Sequence, residues 1–142
     1  MRELREQAET SAKEALAREL ALGREHDLEL AHAAARLAAA REAFEVAPDH
    51  EIDVPALRTL QGYVERRELE HAVAVQNARL QAERIEDARR ALAVAARERE
   101  AVERLRRWQE RDHALKAERA EQRSIEDIGV RTQRSFVPPS AA

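Results

Sequence analysis

Cysteine is absent from the 142 residues, which excludes a disulfide framework, a thiolate nucleophile and any zinc site built on sulfur. Aromatic residues make up 3% of the chain, with Trp108 the only tryptophan and Tyr63 the only tyrosine, too few to fill an ordinary globular core. Three glycines and four prolines leave little material for turns. They also leave no phosphate-cradling G-x-x-x-x-G-K-[ST] loop. Lysine is confined to Lys13 and Lys116, and acidic residues outnumber basic ones for a net charge of -3. With a pI near 6.0, the chain lacks the basic footprint of a dedicated nucleic-acid binder. The softest run, AHAAARLAAA, is short and broken by Arg36, and MRELREQAET has no apolar signal-peptide core. A soluble, cytoplasmic protein is expected.

What is present is helix-forming material. Hydrophobic residues amount to 44%, mostly Ala and Leu, beside 37% charged residues, a balance that points to long helices or coiled coil. Over residues 2–46 only Gly23 interrupts helix-formers, at a cost of roughly 1 kcal/mol. In the second half of that stretch, His26, Leu30, Ala33, Leu37, Ala40 and Phe44 follow a 4-3-4-3-4 spacing, a coiled-coil seam. The first half offers Leu4, Ala8, Ser11, Ala15 and Leu22, out of step with that seam, so a register shift near Gly23 is expected.

The segment APDHEIDVP follows, in which Pro48 ends one helix and Pro55 suits the first turn of the next, with Asp53 just before it. The chain should turn back over residues 47–53. A second helix should then run over residues 54–129, stopped by Gly129, with residues 132–142 a disordered tail. Ile85, Ala88, Leu92, Ala95, Arg99 and Val102 mark its seam. Glu-before-Arg pairs such as Glu86 with Arg90, Glu100 with Arg104 and Glu103 with Arg107 each support it by roughly 0.2–0.5 kcal/mol. The fold expected is all-α: one domain over residues 1–131, an antiparallel coiled-coil hairpin of two long helices with the second longer.

The inequality has a consequence. At 1.5 Å per residue the helices measure about 67 Å and about 110 Å, so the N-terminus falls beside residues around 100. Everything from Leu105 onward overhangs, carrying Trp108, Leu115, Ile125 and Ile128 with no partner in the hairpin. A single helix gains little from propensity alone, so an exposed apolar stripe there suggests an intermolecular contact. The opposing expectation is that Trp108 packs over the N-terminal turn near Leu4 as the last layer of the hairpin. Arg104, Arg106, Arg107 and Arg111 form a basic cluster, suited either to acidic loops of a partner or to pairing with their own glutamates. Phe44 and Tyr63 lie at similar distances from the turn and should meet at the hairpin tip.

The histidines, His26, His32, His50, His71 and His113, are scattered and show no H-x-x-x-H spacing, so no metal site is expected. A rod offers no water-excluding pocket for shifting a catalytic pKa, so neither an enzyme nor a cofactor is expected.

The residues also resemble a family. YVERRELEHAVAVQNARL from Tyr63, then ALAVAAREREAVERLRRWQERDHALKAERAEQRSIEDIGVR ending at Arg131, resembles FliJ, a small protein of the flagellar type III export apparatus. The matching features are an aromatic soon after the turn, the run A-x-R-E-R-x-A-V-E-R-L-x-R-W and the closing E-Q-x-x-I-E-D-I. The opening LREQAETSAKEALAREL is similar to the family's first helix. The closing motif has Ile125-Glu126-Asp127 where the family often has Leu-Asp-Glu, retaining apolar and acidic character.

The resemblance implies a non-enzymatic stalk like the coiled coil of the ATP synthase gamma subunit. The end bearing both termini would insert into the hexameric export ATPase, with Arg104, Leu105, Arg107, Trp108, Arg111, Leu115, Ile125 and Ile128 as contacts. It further implies docking of the export gate membrane protein near Phe44 and Tyr63 and escort of export chaperones. The protein would then sit at the inner face of the cell membrane through these partners, with no nucleic acid involved. Stalks of injectisome-type secretion and a homo-oligomeric coiled-coil scaffold are the alternatives.

Overall fold

The computed structural model describes residues 1–46 and 53–135. It contains two helices, α1 (Arg2–Glu45) and α2 (Val54–Ser135), packed against each other as an antiparallel hairpin. At 1.5 Å per residue they extend about 66 Å and about 123 Å. The α1 C-terminus closes with Val46 N–H donating to the Glu42 carbonyl at 2.9 Å. At the start of α2 the Leu57 N–H donates to the Asp53 carbonyl at 3.0 Å. Pro55 sits in that first turn, where its missing N–H costs nothing. The turn expected over residues 47–53 lies outside the described residues except for Asp53, as do Pro48 and His50.

The expected end of α2 needs correction. Gly129 does not stop the helix, which continues to Ser135, so residues 132–135 are helical rather than part of a tail. Gly129 keeps a negative φ, and a Cβ there would meet nothing within 4 Å. A solvated glycine costs about 1 kcal/mol in a helix without breaking it. Thr132 Oγ1 and Ser135 Oγ each donate to a carbonyl of the preceding turn, Ile128 at 2.8 Å and Thr132 at 3.0 Å.

The register shift expected at Gly23 is also absent. The α1 seam runs unbroken through Arg5, Glu9, Ala12, Leu16, Glu19 and Gly23 into His26, Leu30, Ala33, Leu37 and Ala40. Every one of these is buried or half-buried, whereas Leu4, Ala8, Ser11 and Leu22 are exposed. The physical reason lies across the interface: charged and polar seam residues in α1 meet complementary ones in α2. Arg99 donates to Glu9, and Arg5 to Glu98. Gln81 Nε2 donates to both the carbonyl of Glu19 at 2.9 Å and its carboxylate at 2.6 Å. Gly23 makes room for the Ile85 side chain of α2, since a Cβ there would lie 2.8 Å from Ile85 Cδ1.

On α2 the seam from Ile85 to Val102 stands as expected and extends back through Gln81, Ala78, Ala74, His71, Arg67, Val64 and Leu60 to Leu57 in the same 3-4 alternation. The tip half of the hairpin holds the driest packing, with Ala33, Leu37, Ala40 and Ala74 buried. Rim ion pairs fix the alignment there, Arg36 with Glu70 at 3.9 Å and Arg41 with Glu68 at 3.3 Å. At the open end Arg2 approaches Glu103 at 3.9 Å, so α1 runs out beside that residue.

Candidate partner-binding site

Residues 105–135 of α2 project beyond the last cross-helix contact as a lone helix of about 46 Å. Lacking a packed face, it is supported by local pairs: Arg106 with Glu110 at 3.0 Å and Lys116 with Asp112 at 2.9 Å, both four residues apart. Charge separates along the rod. Residues 104–135 carry nine basic and six acidic side chains, whereas residues 1–103 carry sixteen and twenty-two.

Trp108 is 63% exposed, and Leu105, Leu115, Ile125 and Ile128 are each more than half exposed. Leu4 is also exposed, so Trp108 does not cap the hairpin as its last layer. The overhang therefore presents its apolar groups to whatever surrounds it. They do not form one stripe, however. At about 100° per residue, Leu115 lies about 20° from Trp108, but Ile125 and Ile128 lie about 100° and 160° away. Two faces result, one of Leu105, Trp108 and Leu115, the other of Ile125 and Ile128.

The basic cluster is mostly paired within its own helix. Arg104 reaches Glu100 at 3.8 Å, Arg107 reaches Glu103 at 3.9 Å, and Arg106 reaches Glu110. Arg111 has no carboxylate within pairing distance among the described residues. Of the Glu-before-Arg pairs expected from spacing, those at Glu100 and Glu103 form, while Glu86 pairs with Arg89 and Arg90 with Asp87 instead. Exposed pairs of this kind contribute little, so all four arginines can exchange partners at small cost.

At the tip, Phe44 and Tyr63 are both partly exposed, and the alignment set by Arg41 and Glu68 places them at the same level. Tyr63 engages its own helix: the Arg67 guanidinium lies 4.8 Å from its ring centroid and donates to its hydroxyl at 3.1 Å. A hydrogen bond to Glu70, seconded by that to Tyr63, raises the Arg67 pKa above its ordinary value. Arg67 and Arg36 line a groove with Glu29, Glu70, Val73 and Asn77, and the Nε of each is buried without a hydrogen-bond partner.

Following apolar residues alone does not reveal the polar ladder of Glu9, Glu19, Gln81 and Arg99. The signal that reveals it is the 3-4 count carried backward from His26, which lands on Gly23, Glu19, Leu16, Ala12 and Glu9. The Glu9 carboxyl is held below the usual carboxylate range, first by its hydrogen bond from Lys13 and then, against its partial burial, by Arg99. Among the described residues no cluster of three or more metal-ligating side chains exists, and no helix is long and apolar enough to cross a membrane. Comparison with protein-family models, curated proteins and solved structures returned no match.

Proposed function

We propose that this chain is a non-enzymatic stalk of a flagellar-type protein export apparatus, gripped at its open end by a hexameric ATPase. The observation that carries the reading is the overhang: a helix extending past its hairpin with Trp108 and Leu105 uncovered and Arg111 unpaired. An aromatic anchor beside exposed arginines suits an acidic, partly apolar socket. The resemblance to FliJ supports reading the ring as the export ATPase, and implies docking of the export gate near Phe44 and Tyr63.

One asymmetric rod cannot touch six subunits alike. A subunit that grips the rod more tightly in one nucleotide state is biased toward that state, and by linkage the nucleotide biases the grip. The expected readout is a changed ATP turnover. Titration of the purified chain into a flagellar export ATPase should stimulate hydrolysis, and the chain truncated after Arg104 should not. Equal stimulation by both would place the working end elsewhere, and no binding by either would remove the export reading.

A further inference from the structure

The hairpin has a second set of coiled-coil positions that its own seam leaves unused. On α2, Val73, Leu80, Val94, Ala101, Trp108 and Leu115 fall at multiples of seven residues, with Asp87 the one charged member of the series, and all are exposed. On α1, Leu4, Ala8, Ser11, Ala15, Arg18 and Leu22 keep a 4-3-4-3-4 spacing away from the seam, and only Ala15 is half-buried.

The two rows lie on the same side of the rod. Each is displaced from its own seam in the same rotational sense, by about 90° on α1 and about 130° on α2. Because the helices run antiparallel, equal senses bring both rows to one face. That face is marked by Arg36 and Glu70, and by Glu98 beneath Arg5, while Arg2 with Glu103 and Arg41 with Glu68 mark the opposite one. A flat face of two parallel rows, apolar but for Arg18 and Asp87, is what one half of a four-helix bundle presents.

Charge selects the occupant. Beside the α2 row, Arg90, Arg97, Arg104 and Arg111 repeat at seven-residue intervals, and Arg97 and Arg111 lack ion-pair partners among the described residues. Beside the α1 row the corresponding edge carries Glu14. We infer that this face binds the same face of a second copy, with the two rods parallel and α1 of each lying across α2 of the other. The alignment within one copy, Arg2 beside Glu103 and Glu9 beside Arg99, is preserved by a two-fold axis along the rods. It brings Glu14 level with Arg90, and Arg18 level with Asp87. An antiparallel arrangement would set arginine row against arginine row. Trp108 and Leu115 lie past the second copy's first residue, so the overhang stays open. The inference needs no export apparatus and stands or falls separately from that reading.

Sedimentation equilibrium of the full chain from about 1 to about 100 µM tests it. Wild type should dimerise within that range. Val94→Glu should raise the dissociation constant by about a hundredfold or more, and Ala17→Glu, on the far side of α1, should leave it unchanged. Arg90→Glu should weaken the dimer about tenfold, and Glu14→Arg added to it should restore most of the loss. Far-ultraviolet circular dichroism at the same concentrations reports whether each variant keeps its helices, and Ala101→Glu stands in should Val94→Glu lose them. A monomer throughout, a dimer insensitive to Val94→Glu and Ala101→Glu, or one broken by Ala17→Glu would overturn the proposal.

Discussion

Replacing Gln81 tests how the polar seam works. This side chain is 2% exposed, and its Nε2 donates to the Glu19 carbonyl and carboxylate while its Oε1 is buried with no partner. Gln81→Ala removes one neutral hydrogen bond, about 1 kcal/mol, and one to a charged group, about 2 kcal/mol. It also forfeits a buried methylene, about 0.8 kcal/mol. Loss of the unsatisfied oxygen returns about 2 kcal/mol. The net cost is about 2 kcal/mol. Gln81→Leu loses the same hydrogen bonds and gains the same relief but restores apolar volume against Gly23 and Ile85, so it should fall within about 1 kcal/mol of wild type. Urea unfolding followed by circular dichroism, at one protein concentration and with equal m-values, measures both. If Gln81→Leu proves as destabilising as Gln81→Ala, hydrogen bonding rather than packing governs the position, and the reasoning fails.

Three further outcomes follow from the same geometry. Gly23→Ala should be near neutral, since a gain of about 1 kcal/mol in helix propensity is set against displacement of the flexible end of Ile85, whereas Gly23→Leu should cost about 1–3 kcal/mol in the same unfolding assay. Because the Glu9 pKa is depressed in the fold, its contribution is present above the ordinary carboxylate range and lost as pH falls through its folded value; the wild-type decline in acid should flatten in Glu9→Gln, as read by thermal melts across pH. Trp108→Ala should leave hairpin stability within about 0.5 kcal/mol, because the ring is exposed, while abolishing most binding to the export ATPase, as measured by calorimetric titration.

The hairpin was legible because few glycines and prolines leave only one plausible turn, and turn position alone fixes which arm is longer. The tip half of the seam was legible for a different reason: Leu30, Ala33, Leu37 and Ala40 are apolar, so periodicity marks them. The open half was not, because Glu9 and Glu19 occupy core positions by virtue of Arg99 and Gln81, partners more than sixty residues away that no single-helix pattern contains. Gly23 looked like a break for the same reason, although close approach of α2 is what it provides. In the overhang, residue types were legible but their grouping was not. Counting apolar residues places Trp108 with Ile128, and only the continuous helical rotation separates them.

Trp108 is its own reporter, being the only tryptophan in the chain. Acrylamide quenching of its fluorescence in the full chain, before and after addition of a flagellar export ATPase hexamer, measures whether the overhang is uncovered and whether a ring covers it. The account predicts quenching near that of a free indole amide in the chain alone and strong shielding in the complex. A tryptophan already shielded in the free chain, or one equally quenched with the ring bound, would contradict it.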